Sequence, residues 1–367
     1  MRKGILIFSG FNMRAVVAFI RTLEKNNLLY GVIAKSEDDD IFKTKYSNKV
    51  VATRGIVSLD IDDILLSIDN AQNALQFNEY IIAPSTEALN RFILENILLF
   101  NSKECLFPTV SKELYERVSD KYAFEILCAE FNIRTPKEYI SLDTITFPFI
   151  AKPKKYFSIN KETFSPQIIS NKLEYNTFIS NHNIEEFYFQ EYIDGKCIYL
   201  HYYFNKDGGC DKFSQENLLQ QEDGKSMLVA KSTDYHNTII SKKFEELFLD
   251  IKFRGLVMIE VKLKDNRVTM IEANPRFWGP SQLFVDSKAN LFESFLVDYG
   301  ILPSREPLEN NPGHLYFWDD GVSSNISCRE KLGYHNYSKK DFLNDLTILN
   351  KIEIFNREDT INLYKNN

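Results

Sequence analysis

Apolar positions recur along the chain in two periods. The stretch KGILIFSG (residues 3–10) is a short continuous apolar run ending in a turn, the pattern of a buried strand. MRAVVAFIRTLEKNN follows, with Val16, Val17, Phe19, Ile20 and Leu23 at helical spacing. LYGVIAKS is a second strand. EYIIAPSTEALNRFILENILLF reads as strand, turn and helix, with Ser85 or Thr86 as the helix cap. Strand and helix alternate, so this part is α/β with a mostly parallel sheet.

From about Ser111 the texture changes. SKELYERVSDKYAFEILCAEFNI predicts one or two helices, and FPFIAKPK is a strand that delivers Lys152. NKLEYNTFISNHNI is helical, and EEFYFQEYIDGKCIYLHYYFN is strand, turn at Asp194-Gly195, and strand. Residues 210–237 read as polar and less regular. KKFEELFLDIKF is an amphipathic helix, QLFVDSKANLFESFLVDYG is helical, GHLYFWDDG is a strand, and the end is polar. There is no internal repeat and no low-complexity segment.

Residues 257–280, VMIEVKLKDNRVTMIEANPRFWGP, hold the chemistry. Two apolar runs flank KDNR and predict a β-hairpin. With a three-residue turn centred on Asn266, residue 264 opposes 268 and Glu260 opposes Glu272. The two carboxylates then share one face with Asn274, while Ile259, Val261, Ile271 and Ala273 face a core. Two close, partly buried carboxylates repel, so one takes a proton or a cation sits between them. Three oxygen donors suit Mg²⁺, which keeps waters and substrate phosphates in the rest of its shell. A metal–nucleotide site is the simplest reading. The plainer alternative is that both glutamates are solvated and paired with Lys262 and Arg276. A register shifted by one residue would part them. Pro275 ends the strand, and Arg276 projects near the metal, where a guanidinium can hold phosphate or carboxylate oxygens. Trp278 reads as packing.

The whole-chain numbers narrow the classes. The 367 residues suit two or three packed units, and 44% apolar content is ample for their cores. A net charge of −7 argues against an extended nucleic-acid surface and gives no sign of acidic-lipid binding. No apolar run reaches the roughly 18 residues of a membrane span, and the N-terminus suits a first core strand better than a signal peptide. Five scattered cysteines (Cys105, Cys128, Cys197, Cys210, Cys328) without a metal-type CxxC suit reduced, buried thiols and a cytoplasmic location. Five histidines (His182, His201, His236, His314, His335) form no metal-ligand pair and read as structural, with His201 and His236 the ones worth inspecting. The first turn, SGFNMRA, has one glycine where a dinucleotide fingerprint needs three. An oxidoreductase built on the first unit is accordingly a minor alternative.

The pattern GLVMIEVK…VTMIEANPRFWG resembles the metal-binding hairpin of the ATP-grasp superfamily, in the branch related to carbamoyl-phosphate synthetase. Other pieces follow in that family's order: SDKYAF with Lys121, FPFIAKP with Lys152, and the hinge strand QEYIDG. The resemblance covers roughly residues 1–320. It implies α/β and α+β architecture: an ATP-grasp fold preceded by a Rossmann-like parallel pre-ATP-grasp domain. The implied boundaries are 1–111 for that first domain and 112–300 for the grasp domain. The latter divides into 112–195, which carries the lysines, and 196–300, which binds metal. Residues 301–367 complete it and end in a polar tail.

The resemblance also implies roles. Lys121 and Lys152 would neutralise the α- and β-phosphates, and Gln190, Glu191, Tyr192 and Ile193 would line the adenine pocket. Glu260, Glu272 and Asn274 would bind Mg²⁺, with Mn²⁺ as a substitute. Arg276 and Lys152 would act on the transferred phosphoryl group. The implied activity is an ATP-dependent ligase joining a small-molecule carboxylate to an amine or thiol through an acyl phosphate, in a biosynthetic pathway for a surface glycan or secondary metabolite. Nucleic acid and membrane are not expected partners, and a homodimer is the family-level expectation. Two departures stand out. Cys197 occupies the place where many members carry a ribose-binding glutamate, so Tyr199 or His201 would have to serve. The loop after Lys152 has no glycine, leaving Lys154, Lys155, Ser158 and Lys161 to cover phosphates by side chain. These departures motivate the main alternative, a nucleotide-binding module without ligase chemistry.

Overall fold

The computed structural model describes residues 2–141, 144–309, 311–327 and 331–365; Cys328 lies outside them. The first unit is a parallel five-stranded sheet of β1 (Lys3–Phe8), β2 (Tyr30–Ala34), β3 (Val50–Thr53), β4 (Glu79–Ile82) and β5 (Cys105–Leu106), in the order β3-β2-β1-β4-β5. Both of its faces are covered, which is why β1 and β2 are continuous apolar runs. Ile5, Ile7 and Val32 join one core, and Leu6, Phe8 and Ile33 join the other. Helix Met13–Lys25 packs its apolar face on the first of these cores.

A three-stranded antiparallel sheet follows: β6 (Phe149–Pro153), β7 (Gln167–Ile169) and β8 (Phe187–Glu191), in the order β7-β6-β8. Helix Lys172–Asn181 covers it through Tyr175 and Phe178. The third sheet holds β9 (Lys196–Phe204), β10 (Cys210–Gln221), β11 (Met227–Thr233), β12 (Gly255–Lys264), β13 (Arg267–Asn274), β14 (Leu315–Phe317) and β15 (Leu332–Tyr334). Its order is β13-β12-β9-β10-β11-β14, with β15 paired to β10.

One expectation changes here and another is narrowed. Residues 210–237 are not irregular: β10 and β11 form a long hairpin in the middle of the large sheet. Its polar residues are buried because they satisfy one another. Gln215 Nε2 donates to Asn217 Oδ1 at 2.7 Å, and its Oε1 lies 3.1 Å from His201 Nε2. The stretch 111–133 is two helices, Lys112–Ser119 and Lys121–Glu130, broken at the extended Asp120. The end of the chain returns to the first unit. Ile354, Phe355 and Leu363 enter its core, and Arg21 Nε donates to Asp359 Oδ2 at 2.7 Å.

Candidate functional site

The β12–β13 hairpin turns through Asp265 and Asn266, both left-handed, with Lys264 opposite Arg267. The loop is therefore two residues, not three. Alone, that change would slide Glu260 out of line with Glu272. A β-bulge at Ile271 restores the register: Val261 pairs with Met270, and Glu260 still pairs with Glu272. The bulge has a second consequence. Met270, rather than Ile271, enters the core with Ile259, Val261 and Ala273. Ile271 instead lines a cavity, and its carbonyl accepts from Lys152 Nζ at 3.2 Å.

Three cavities adjoin along this strand, of about 680, 320 and 140 Å³. Glu272 lines all three, and Asn274 and Arg276 line the two larger ones. Lys121, at the start of its helix, forms an ion pair with Glu272. Asn274 Nδ2 donates to Glu272 Oε1 at 2.8 Å. Burial works against the Glu272 charge, but Lys121 and Asn274 outweigh it and hold the carboxyl down at about 2. Glu260 goes the other way: burial raises its pKa, Lys262 opposes this, and Glu272 adds to it. The opposite shifts fit a pair of carboxylates competing for one charge site.

Arg276 Nη2 reaches Asn274 Oδ1 at 3.4 Å, and its Nε lies 4.0 Å from Glu87 Oε2. The turn that carries it is anchored to the first unit. Phe277 N donates to Pro84 O at 2.9 Å, and Asn12 Nδ2 donates to Phe277 O at 3.1 Å. Trp278 packs edge-on against His201 and is fully buried.

Lys152 on β6 is buried, with its Nζ 3.2 Å from Glu125 Oε1. Burial lowers its pKa and Glu125 opposes that. Burial raises Glu125, against Lys152, Tyr188 and Gln190. Tyr188 donates to Glu125 Oε1 at 2.8 Å, and Gln190 Nε2 donates to Oε2, leaving Gln190 Oε1 buried without a partner. Gln190, Glu191, Tyr192 and Ile193 all line the smallest cavity together with Lys152 and Glu260. The Glu191 backbone N–H is already bonded to Lys137 O at 2.9 Å.

The residues named from the departures are placed as follows. Cys197 is fully buried and lines none of the three cavities. Its thiol is 3.3 Å from Glu260 Oε1 and accepts from Asn217 Nδ2 at 3.1 Å, and burial pushes its pKa up. Tyr199 lines the largest cavity, whereas His201 and His236 are buried structural residues. Of the four loop residues named to cover phosphates, only Lys155 lines the 320 Å³ cavity, beside Tyr156, whose ring stacks on Arg91. Lys154 and Ser158 line a neighbouring cavity that Lys155 also borders.

Sequence reasoning missed Glu125, His335 and Gln220. Glu125 stands four residues after Lys121, hence on the same helix face, and that spacing was a usable signal. His335 Nε2 lies 3.0 Å from Gln220 Oε1, and both line the smallest cavity; burial lowers His335 to about 4. No local pattern marks either of them.

Among the described residues no group of three or more His, Cys, Asp or Glu side chains gathers to hold a metal, and no helix is long and apolar enough to cross a membrane. Two carboxylates and an amide, with open space beside them, are instead a donor set for a hard cation that completes its shell from water and phosphate.

The fold has well-defined relatives. No protein-family model and no curated protein matches the chain. Solved structures do. A biotin carboxylase from Campylobacter jejuni, in complex with a βγ-ATP analogue, superposes with a TM-score of 0.63 at 14% identity, covering 85% of this chain and 74% of that one. The biotin carboxylase domain of 2-oxoglutarate carboxylase from Hydrogenobacter thermophilus, with MgADP, ADP and bicarbonate, gives 0.62 at 13%, covering 86% and 73%. An ADP complex of N5-carboxyaminoimidazole ribonucleotide synthetase gives 0.61 at 11%, covering 85% and 80%. The chain therefore has the ATP-grasp fold preceded by an N-terminal α/β domain, and its structural neighbours are ATP-dependent ligases.

Proposed function

We propose that the protein is an ATP-dependent ligase that activates a carboxylate as an acyl phosphate and passes the acyl group to an amine. The observation that carries this reading is Glu272, one carboxylate shared by three adjoining cavities. A nucleotide base, a polyphosphate and an acceptor can meet around such a residue. In this reading residues 1–111 form the first domain, 112–300 the grasp domain, and 301–367 complete it.

Gln190, Glu191, Tyr192 and Ile193 receive the adenine. The unpartnered Gln190 Oε1 suits an exocyclic amine, an acceptor facing a donor. Lys121 and Lys152 are point charges for phosphates. Glu260, Glu272 and Asn274 would hold Mg²⁺ or Mn²⁺, and Lys121 would then leave Glu272 for a phosphate. Such an ion would supply charge neutralisation at the phosphates. Cys197 orients Glu260 from behind instead of reaching the ribose. Arg276, at the boundary of the two larger cavities, faces the transferred phosphoryl group. The substrate carboxylate oxygen attacks the γ-phosphorus and the bond to the ADP oxygen breaks, giving acyl phosphate and ADP. The amine then attacks the acyl carbon, loses a proton, and displaces inorganic phosphate.

The glycine-free loop after Lys152 favours a second reading, a nucleotide-binding module without ligase chemistry. The experiment that separates them is ADP release from MgATP against a panel of amino acids and small carboxylates, with Glu272→Gln in parallel. Release that needs particular substrates and is lost in the variant supports the ligase. Tight ATP binding with no release under any mixture supports the module.

A further inference from the structure

The largest cavity extends well beyond the phosphate end, and its far wall has a charge pattern of its own. Arg14, from the helix after β1, lies over the ring of Trp318, with its guanidinium carbon 3.8 Å from the ring centre. Among the described residues its side-chain hydrogen-bond partners are all neutral: Met227 O at 3.0 Å, Ser226 Oγ at 3.2 Å and Tyr316 OH at 3.3 Å. They fix the plane of the guanidinium without matching its charge. Trp318 lines the same cavity, and its indole N–H is buried without an acceptor. The cavity wall thus carries a guanidinium without a carboxylate partner among the described residues, stacked on the face of an indole whose N–H has no acceptor, a set of groups that a carboxylate completes.

The acidic residues of this wall are also unmatched. Asp320, half-buried at the start of helix Asp319–Ser327, lines the cavity and has no hydrogen bond or ion pair among the described residues. Asp40 lines it from the first unit, and among the described residues its ion pair is with neighbouring Lys43 at 2.8 Å, both side chains about half exposed. Such a pair in water is weak and leaves Asp40 available. Burial raises the Asp320 pKa, Asp40 adds to this and Arg14 opposes it, so Asp320 feels both of the other charges. A cationic group between the two aspartates would relieve them as a carboxylate would relieve Arg14.

We infer that this wall recognises a zwitterionic amino acid, its carboxylate on Arg14 and the Trp318 N–H and its ammonium between Asp320 and Asp40. The inference rests on the ligase reading and names the amine-bearing substrate of that reaction. Gly279 supports the placement. A Cβ there would lie 2.6 Å from Arg14 Nη2, so a side chain at this position would crowd the guanidinium out of its place.

The test is calorimetric titration of the full chain, saturated with magnesium and a non-hydrolysable ATP analogue, with each of the common amino acids. For any that binds, its N-acetyl derivative and the corresponding decarboxylated amine follow. The expected result is one or a few amino acids that bind, with a loss on the order of tenfold or more for either derivative. Arg14→Gln should weaken the amino acid by a similar factor and abolish its advantage over the decarboxylated amine. Asp320→Asn should abolish its advantage over the N-acetyl form. Gly279→Ala should act like Arg14→Gln while keeping the arginine. Nucleotide affinity should be unchanged in all three variants. Nucleotide binding with no amino acid bound, or an amino acid that binds Arg14→Gln and Asp320→Asn as it binds wild type, overturns the inference alone. Failure of the nucleotide itself to bind overturns the ligase reading and the inference together.

Discussion

Lys152 and Glu125 form an ion pair 3.2 Å long beside the smallest of the three cavities, with side-chain exposures of only 3% and 10%. Glu125 is further held by Tyr188 and Gln190, so one carboxylate gathers three donors from two strands. The pair fixes where Lys152 sits. It also balances a lysine charge that burial alone would discharge.

Removing one member should therefore cost more than removing both. Glu125→Ala leaves a buried ammonium with only the Ile271 carbonyl as acceptor and takes from Tyr188 and Gln190 the carboxylate they share, and we expect a loss of about 3–5 kcal/mol in folding stability. Lys152→Met should cost less, since Glu125 keeps Tyr188 and Gln190. The double variant should fall well short of the sum. Urea unfolding of the four proteins gives the coupling directly, and strict additivity would show that the pair is not the determinant of stability proposed here.

The hairpin separates a turn effect from a register effect. Asp265 and Asn266 both have positive φ, 49° and 59°, as a two-residue turn of this hand requires. Asn266→Ile places a β-branched residue there and should cost about 1–2 kcal/mol. It should leave magnesium-dependent ATP affinity untouched, because the bulge at Ile271, not the turn, aligns Glu260 with Glu272. Deleting Ile271 removes the extra residue and should abolish that affinity. ATP titrations with and without magnesium on the two variants decide between turn and bulge.

The same hairpin shows what the sequence made legible. Alternation placed Glu260, Glu272 and Asn274 on one strand face, and the apolar runs around FPFIAKP and FYFQE gave β6 and β8. The bulge was invisible because nothing in VTMIEAN distinguishes Ile271 from Met270 until the core takes one of them. The β10 strand was hidden for a related reason. Its QEN reads as surface, yet Gln215, Glu216 and Asn217 are buried, partnered by residues on neighbouring strands that sequence distance conceals. Arg14 and Trp318 lie 304 residues apart in the chain, and only the fold stacks one on the other.

His201 should make stability depend on pH. It is fully buried among Phe213, Trp278 and Phe284, and burial lowers its pKa to about 3 against a hydrogen bond with Gln215. The unfolded chain binds the proton near 6.5, so between those values the unfolded state holds more protons. Stability is full above about pH 6.5 and falls as the pH drops toward 3. The part due to His201 is about 2 kcal/mol between pH 7 and 5. His335, at about 4, has the same sign. Denaturant unfolding at the two pH values should show a smaller difference in His201→Gln than in wild type; an equal difference would assign the slope elsewhere.

Gly195 tests the joint between β8 and the large sheet. It follows Asp194 in the turn from β8 to β9 and has φ of +138°. A Cβ there would stand 2.5 Å from Leu263 O and 3.0 Å from its carbonyl carbon, both backbone atoms of β12. Gly195→Ala must therefore meet a conformational penalty and push β12 aside. Gly208 provides the control: its φ is +84°, and a Cβ there meets nothing within 4 Å. Gly208→Ala should cost about 1 kcal/mol from backbone conformation alone. Gly195→Ala should cost about 3 kcal/mol or more, since strain and close contact add. On the ligase reading it should also weaken ATP binding, because Tyr192 and Ile193 line the smallest of the three cavities just before this glycine. Equal losses in the two variants would mean that β12 yields freely, and the turn would then not fix where β8 meets the sheet.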